Sequence, residues 1–182
     1  MKKFNIKVEG ISPLLINRFI DTQIDTKAKK RTGGANEIQP ENKLYISNGK
    51  SYIPSVYFRN CLIDAGKQFK ITGSKGKSTY SKLIASTIDI EPGIIFISPD
   101  KWTAFRISAV NPMTKGRMMV TRPKFDKWSC EFEAVLNDDS IDWATLKEMF
   151  DYGGRYVGIG DWRPDKKGMF GKFIVTSFQE VK

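Results

Sequence analysis

The sequence predicts an α+β fold: an antiparallel sheet with two helices, in the order strand, helix, several strands, helix, strand. Three observations predict it. Short apolar–polar alternations recur along the chain, as half-buried strands require. Two segments, near 55–70 and 141–152, instead repeat their apolar residues at helical spacing. Clusters of glycine, proline and asparagine punctuate the chain between them.

Phe4, Ile6 and Val8 alternate with polar residues, so residues 3–10 read as the first strand. It continues irregularly past Pro13 through Leu14, Leu15 and Ile16. Residues 20–42, IDTQIDTKAKKRTGGANEIQPEN, are polar and read as a long loop. KLYISNGKSYI reads as a hairpin, with Asn48-Gly49 supplying the positive φ angles of a type I′ turn. Ser55 is placed to cap a helix whose apolar face is Phe58, Leu62, Ala65 and Phe69, ending near Lys70. KITGSKGKSTYSK reads as a second loop, basic because no acid lies between Asp64 and Asp89. Residues 86–97 give strand pieces broken at Pro92-Gly93, and 102–110 give another strand. After the NPMTKG turn come a short strand, RMMVTR, and WSCEFEAVL, with Trp128, Cys130 and Phe132 on one face. Asp138, Asp139 and Asp142 suit the start of a second helix at about 141–152. Its apolar face is Ile141, Leu146, Met149 and Phe150, and Gly153-Gly154 are placed to stop it. A glycine-rich stretch and a last strand, KFIVTSF, follow. The plan is ferredoxin-like, βαββαβ, with hairpin and loop insertions. One domain spanning 1–182 is expected, with long basic loops at about 20–42 and 70–82.

Composition narrows the chemistry. The chain has no histidine, which removes Ser-His and Cys-His nucleophile pairs and imidazole acid–base work. Cys61 and Cys130 are far apart and make no disulfide or zinc framework, which fits a reducing, cytoplasmic location. No cofactor and no metal is expected. MKKFNIKVEG alternates instead of forming a signal peptide's continuous apolar region. No apolar run approaches the roughly 20 residues of a membrane helix, so no membrane partner is expected. The formal charge of +10 points to a polyanion, nucleic acid first.

Two nucleotide motifs fail on spacing. GSKGKST (73–79) has Ile71 where a phosphate loop needs its first glycine. GIGDWR (158–163) lacks the third glycine of a dinucleotide fingerprint, and no strand–helix unit follows. Two other tracts mix cations with aromatics, RPKFDKW (122–128) and DWRPDKKGMFGKF (161–173). Cations there can bind phosphates while rings stack on bases. Asp21 and Asp25 stand four residues apart in the first long loop, where a carboxylate can hold a metal for phosphodiester cleavage. Solvated loop acids are the commoner explanation for such a pair.

Three segments resemble the RAMP superfamily, especially backbone subunits of CRISPR effector complexes: KVEGISPLLINRF with the long loop after it, YIPSVYFRNCLIDAGK (52–67), and LKEMFDYGGRYVGIGDWRPDKKGMFGKFIV (146–175). Small phage and prophage proteins are similar too. The chain departs from the pattern where Val56-Tyr57 replace small residues at the entry to the first helix, and where DWRP enlarges the glycine loop. The resemblance implies a modified ferredoxin-like or RRM-like fold and binding of single-stranded RNA or DNA along the sheet face and loops. It also implies self-association, or a place in a RAMP-containing complex.

The resulting expectation is a non-catalytic, self-associating protein that binds single-stranded nucleic acid. Lys27, Lys29, Lys30, Arg31, Arg59, Lys75, Lys77, Arg163, Lys166 and Lys167 would contact phosphates, and Trp162 and Phe125 would stack on bases. One alternative is a metal-dependent endoribonuclease using Asp21 or Asp25. The other is a phage protein that mimics or blocks a host RAMP-containing complex.

Overall fold

The computed structural model describes residues 1–19, 39–71, 78–110 and 115–181, the Met118 side chain excepted. In chain order the elements are β1 (Lys2–Gly10), β2 (Leu14–Leu15), β3 (Ile46–Ser47), β4 (Lys50–Pro54), α1 (Val56–Ala65), α2 (Tyr80–Thr87), β5 (Ile88–Glu91), β6 (Ile94–Phe96), β7 (Thr103–Val110), β8 (Arg117–Phe125), β9 (Ser129–Leu136), α3 (Trp143–Tyr152) and β10 (Phe173–Val181). The central sheet runs β10-β1-β9-β5, and each of its pairings is antiparallel. Numbered among themselves, its four strands run 4-1-3-2, with α1 and α3 as the two crossovers. That is the ferredoxin-like βαββαβ plan.

Alternation builds the core. Phe4, Ile6 and Val8 of β1 and Cys130, Phe132, Ala134 and Leu136 of β9 are buried on the same face of the sheet. Phe58, Leu62 and Ala65 of α1 and Leu146, Met149 and Phe150 of α3 cover them. Phe58 sits at the centre, its ring 4.3 Å from Phe132 and 5.7 Å from Phe173. Burying one such side chain contributes about 1.5–3 kcal/mol.

Two smaller sheets are inserted into this frame. β3 and β4 form the expected hairpin, with Asn48 and Gly49 at φ 51° and 74°. β6 pairs with β4, and Ser98 then bridges to Ser129 at the start of β9. β7 and β8 form a long antiparallel ribbon, from Thr103↔Lys124 to Val110↔Arg117, with β2 paired only to its base. Burial falls off along it: Phe125 is covered at the base, whereas Val110 and Met119 are exposed toward the far end.

Local structure corrects several expectations. Ser55 is itself helical and its side chain caps nothing. α1 ends at Ala65, so Phe69 lies beyond it and packs edge-on against Tyr152. Tyr80–Thr87 is a third helix, beginning inside the stretch that reads as a loop. Its eight residues make barely two turns, and only Ile84 and Thr87 are buried, too few to mark a helical period. β8 runs on through Pro123 to Phe125, and the Pro123 carbonyl accepts from Ile16 N–H. Asp142 does cap α3, accepting from Thr145 N–H at 2.9 Å. Gly153 and Gly154 do not stop the helical path, which widens into a π turn over Gly153–Val157. A Cβ on Gly154 would overlap the Phe173 carbonyl oxygen, so the absent side chain lets this turn lie on β10. No described helix is long and apolar enough to cross a membrane.

Candidate nucleic-acid interface

The stretch between α3 and β10 folds back on itself. Ile159 N–H donates to Gly171 O at 3.0 Å, Phe170 N–H to Trp162 O at 3.1 Å, and Gly168 N–H to Arg163 O at 3.0 Å. Both arms are also tied to the chain following β1: Asp161 N–H donates to Leu15 O and Gly171 N–H to Pro13 O, each at 2.8 Å. A Cβ on Gly168 would overlap the Trp162 carbonyl, so the arms close only over glycine. At the tip, Pro164–Lys166 form one 3-10 turn and Lys167 adopts φ 61°, which leaves Lys166 and Lys167 exposed.

One side of this loop carries a strip of rings. Trp162 is half-buried and lies tilted on Phe170, centroids 6.4 Å apart. Phe170, itself buried, meets Phe105 of β7 edge-on at 5.5 Å, and Lys124 of β8, which pairs with Asp126 at 2.9 Å, holds its ammonium 5.4 Å from the Phe105 centroid. Met169, between the two arms' rings in sequence, is 69% exposed. Arg122 of β8 donates Nε–H to Asp161 Oδ2 at 2.8 Å and so clamps the loop to the ribbon. Aromatic faces beside cations are what a single strand uses for stacking and phosphate neutralisation.

The loop also borders a cleft of about 250 Å³, lined by Asn17, Tyr57, Asn60, Gly160, Asp161 and Arg163. The Tyr57 and Tyr45 hydroxyls are 3.2 Å apart. Burial, reinforced by that bond, pushes the Tyr57 phenol up, so it stays neutral. Arg163 donates to Gly160 O at 3.4 Å and pairs with Asp165 at 3.3 Å. Lys166 also pairs with Asp165, at 3.0 Å, and its hydrogen bond holds that carboxyl below the usual range. Among the described residues, no three His, Cys, Asp or Glu side chains converge on a metal position.

Trp162, Arg163, Lys166 and Lys167 therefore share one loop. Asp21, Asp25, Lys27, Lys29, Lys30, Arg31, Lys75 and Lys77 lie outside the described residues. Two expected contacts sit elsewhere. Phe125 is 0% exposed, and a ring without an accessible face cannot stack on a base. Arg59 donates to Ile88 O at 3.2 Å and to Ala85 O, tying α1 to the carbonyl end of α2 instead of facing a phosphate. Phe105 and Lys124, which the structure brings beside the loop, were not singled out by the sequence. Strand alternation was the available signal in RPKFDKW: it turns Lys124 outward and Phe125 inward.

The outer face of the central sheet does not suit the strand-binding role that the resemblance implied for it. Glu9, Asp89, Glu91, Glu131 and Glu133 lie on it with only Lys3 and Lys7, so carboxylates outnumber lysines five to two. Lys7 pairs with Glu131 at 3.0 Å, and Lys3 with Glu91 at 3.4 Å and Glu133 at 3.7 Å. A shallow hollow of about 850 Å³ lies over this face, but its charged lining is Lys7, Glu91, Glu131 and Glu133. Such a surface repels a polyanion at short range.

No family model and no curated protein sequence matches the chain. Solved structures do. A chain of the type III-B Cmr-beta bound to cognate target RNA superposes with a TM-score of 0.53 at 12% identity, covering 100% of this chain and 61% of its own length. A CRISPR protein from Archaeoglobus fulgidus gives a TM-score of 0.42 at 12% identity, covering 100% of this chain and 65% of its own. This chain thus spans under two thirds of the length of either neighbour. The fold of this chain is similar to that of the type III-B Cmr-beta chain.

Proposed function

We propose that this protein binds single-stranded nucleic acid, without cleaving it, along the glycine-rich loop and the base of the β7–β8 ribbon. The observation that carries this reading is the pair of half-buried rings Trp162 and Phe105, joined through the buried Phe170 between them, with Lys124 over Phe105. Lys166 and Lys167 stand exposed on the same loop. Charge segregation supports the reading: the chain carries +10 overall, while carboxylates dominate the sheet face. The similarity to a Cmr-beta chain bound to cognate target RNA favours RNA over DNA.

The test is a titration of fluorescent 20-nucleotide RNA and DNA strands, and of a duplex, at graded salt. Single strands should bind, with affinity falling by about 0.7 log units per log unit of salt for each phosphate neutralised. The strand should stay intact with magnesium or manganese present. Absence of binding at 50 mM salt, or salt-independent binding, would refute the binding role; cleavage would refute the non-catalytic one.

A further inference from the structure

We propose that Arg122 and Asp161 are positioning residues for strand binding: their ion pair fixes the Trp162 ring beside Phe105, and neither side chain touches the strand itself. The inference rests on the strand-binding role above and gives that role two residues that offer no stacking surface and no unmatched charge.

Two rings on separate elements hold one strand well when their spacing is set in advance. Trp162 belongs to the glycine-rich loop and Phe105 to β7. Three links join them. Phe105 and Arg122 are cross-strand partners in the β7–β8 ribbon, so their side chains stand on one face. Arg122 donates Nε–H to Asp161 Oδ2 at 2.8 Å. Asp161 accepts the Trp162 N–H on its other oxygen, Oδ1, at 3.1 Å. One carboxylate thus grips the ribbon with one oxygen and the Trp162 backbone with the other.

That backbone needs holding. Trp162 stands at φ 50°, in the left-handed region where a Cβ crowds the main chain. Such a conformation persists only where its surroundings over-determine it, and it gathers at functional sites. Here Asp161 takes the Trp162 N–H, the Phe170 N–H donates to Trp162 O at 3.1 Å, and Asp161 is itself anchored through its N–H to Leu15 O. The ion pair suits positioning better than phosphate binding. Its side chains are 15% and 27% exposed, so salt screens the pair less than it would a surface one. The Arg122 charge is matched by Asp161, and its Nη1 leans on Thr121 O at 3.5 Å, so the pair offers a phosphate no net charge.

The experiment is a double-mutant cycle on the binding of a fluorescent 20-nucleotide poly-U RNA, read by anisotropy at graded salt, with Tm measured alongside. On Coulomb grounds, removing a carboxylate beside a polyanion tightens binding. Asp161→Ala should do the opposite and weaken binding about 5- to 150-fold, up to the whole worth of the Trp162 stack. In a Trp162→Ala background the same substitution should weaken it no further, because no ring is left to position. Arg122→Ala should follow the same pattern and keep the wild-type salt slope, since it meets no phosphate. Asp161→Asn keeps the side chain's shape and guards against misfolding. Its single amide oxygen cannot accept from both Arg122 and Trp162, so it too should weaken binding only while the Trp162 ring is present. Unchanged or tighter binding in the Asp161 variants would overturn the inference. So would equal losses with and without the Trp162 ring, the mark of a merely structural pair, or a salt slope about 0.7 shallower in Arg122→Ala, the mark of a phosphate contact. Each of these leaves the strand-binding role standing. If the wild-type protein binds no strand, that role falls and the inference falls with it.

Discussion

Gly154→Ala tests how the glycine-rich loop is seated. Gly154 lies in the π turn after α3, against β10. A Cβ there would overlap the Phe173 carbonyl oxygen and stand 2.7 and 2.8 Å from two carbons of the Phe173 ring. Real Cβ contacts essentially never fall below 3.0 Å, so the turn or the strand must move. The Phe173 ring has little room to yield, because Phe58 and Trp128 pack edge-on against it at 5.7 and 6.2 Å. Overpacking of this kind costs about 1–3 kcal/mol. For a chain of this size that lowers Tm by about 2–12 °C. Gly93→Ala is the matched control: a Cβ there meets nothing within 4 Å. Gly93 does not have a positive φ, so alanine should leave stability unchanged or raise it by about 0.4–1 kcal/mol. Scanning calorimetry on both variants gives the answer. A Gly154→Ala protein at least as stable as wild type would refute the close packing of the π turn on β10.

Other outcomes follow from the same geometry. Trp162→Ala should weaken single-strand binding by about 1–3 kcal/mol, the worth of one stacked base. Phe125→Ala should instead lower folding stability by about 3–5 kcal/mol, because that ring is core; anisotropy and urea denaturation separate the two effects. The Asp142 carboxyl is held below the usual range by the Thr145 hydroxyl and then by its backbone N–H. A depressed folded pKa contributes stability above the unfolded value near 3.9, lost as pH falls through the lower folded one. Asp142→Ala should therefore cost about 0.5–2 kcal/mol at pH 7, with the gap to wild type narrowing in urea melts near pH 3. Burial pushes the Cys61 thiol up, and the Cys130 thiol to about 12. Neither should react with a thiol reagent at pH 8 until the protein is unfolded.

The frame of the fold was legible because each of its elements announces itself locally. β1 and β9 alternate cleanly, and Leu146, Met149 and Phe150 repeat at helical spacing. Asn48-Gly49 carries its turn type in two residues. α2 was not legible, since two turns with two buried residues leave no period to detect. The site was half legible. Cations next to aromatics in 161–173 pointed to the loop on which the proposed interface rests. The strip itself joins Trp162 and Phe170 to Phe105, more than fifty residues away in sequence, and only the ribbon's packing on the loop brings them together. Arg59 misled because the carbonyls it meets belong to a helix the sequence did not announce.

Ultraviolet crosslinking of a bound 20-nucleotide RNA, read by peptide mass spectrometry, locates the path of the strand on the protein. Crosslinks are expected in the glycine-rich loop at Trp162 or Met169 and in β7 at Phe105. Crosslinks confined to β5 and β9, on the carboxylate-rich sheet face, would contradict that path.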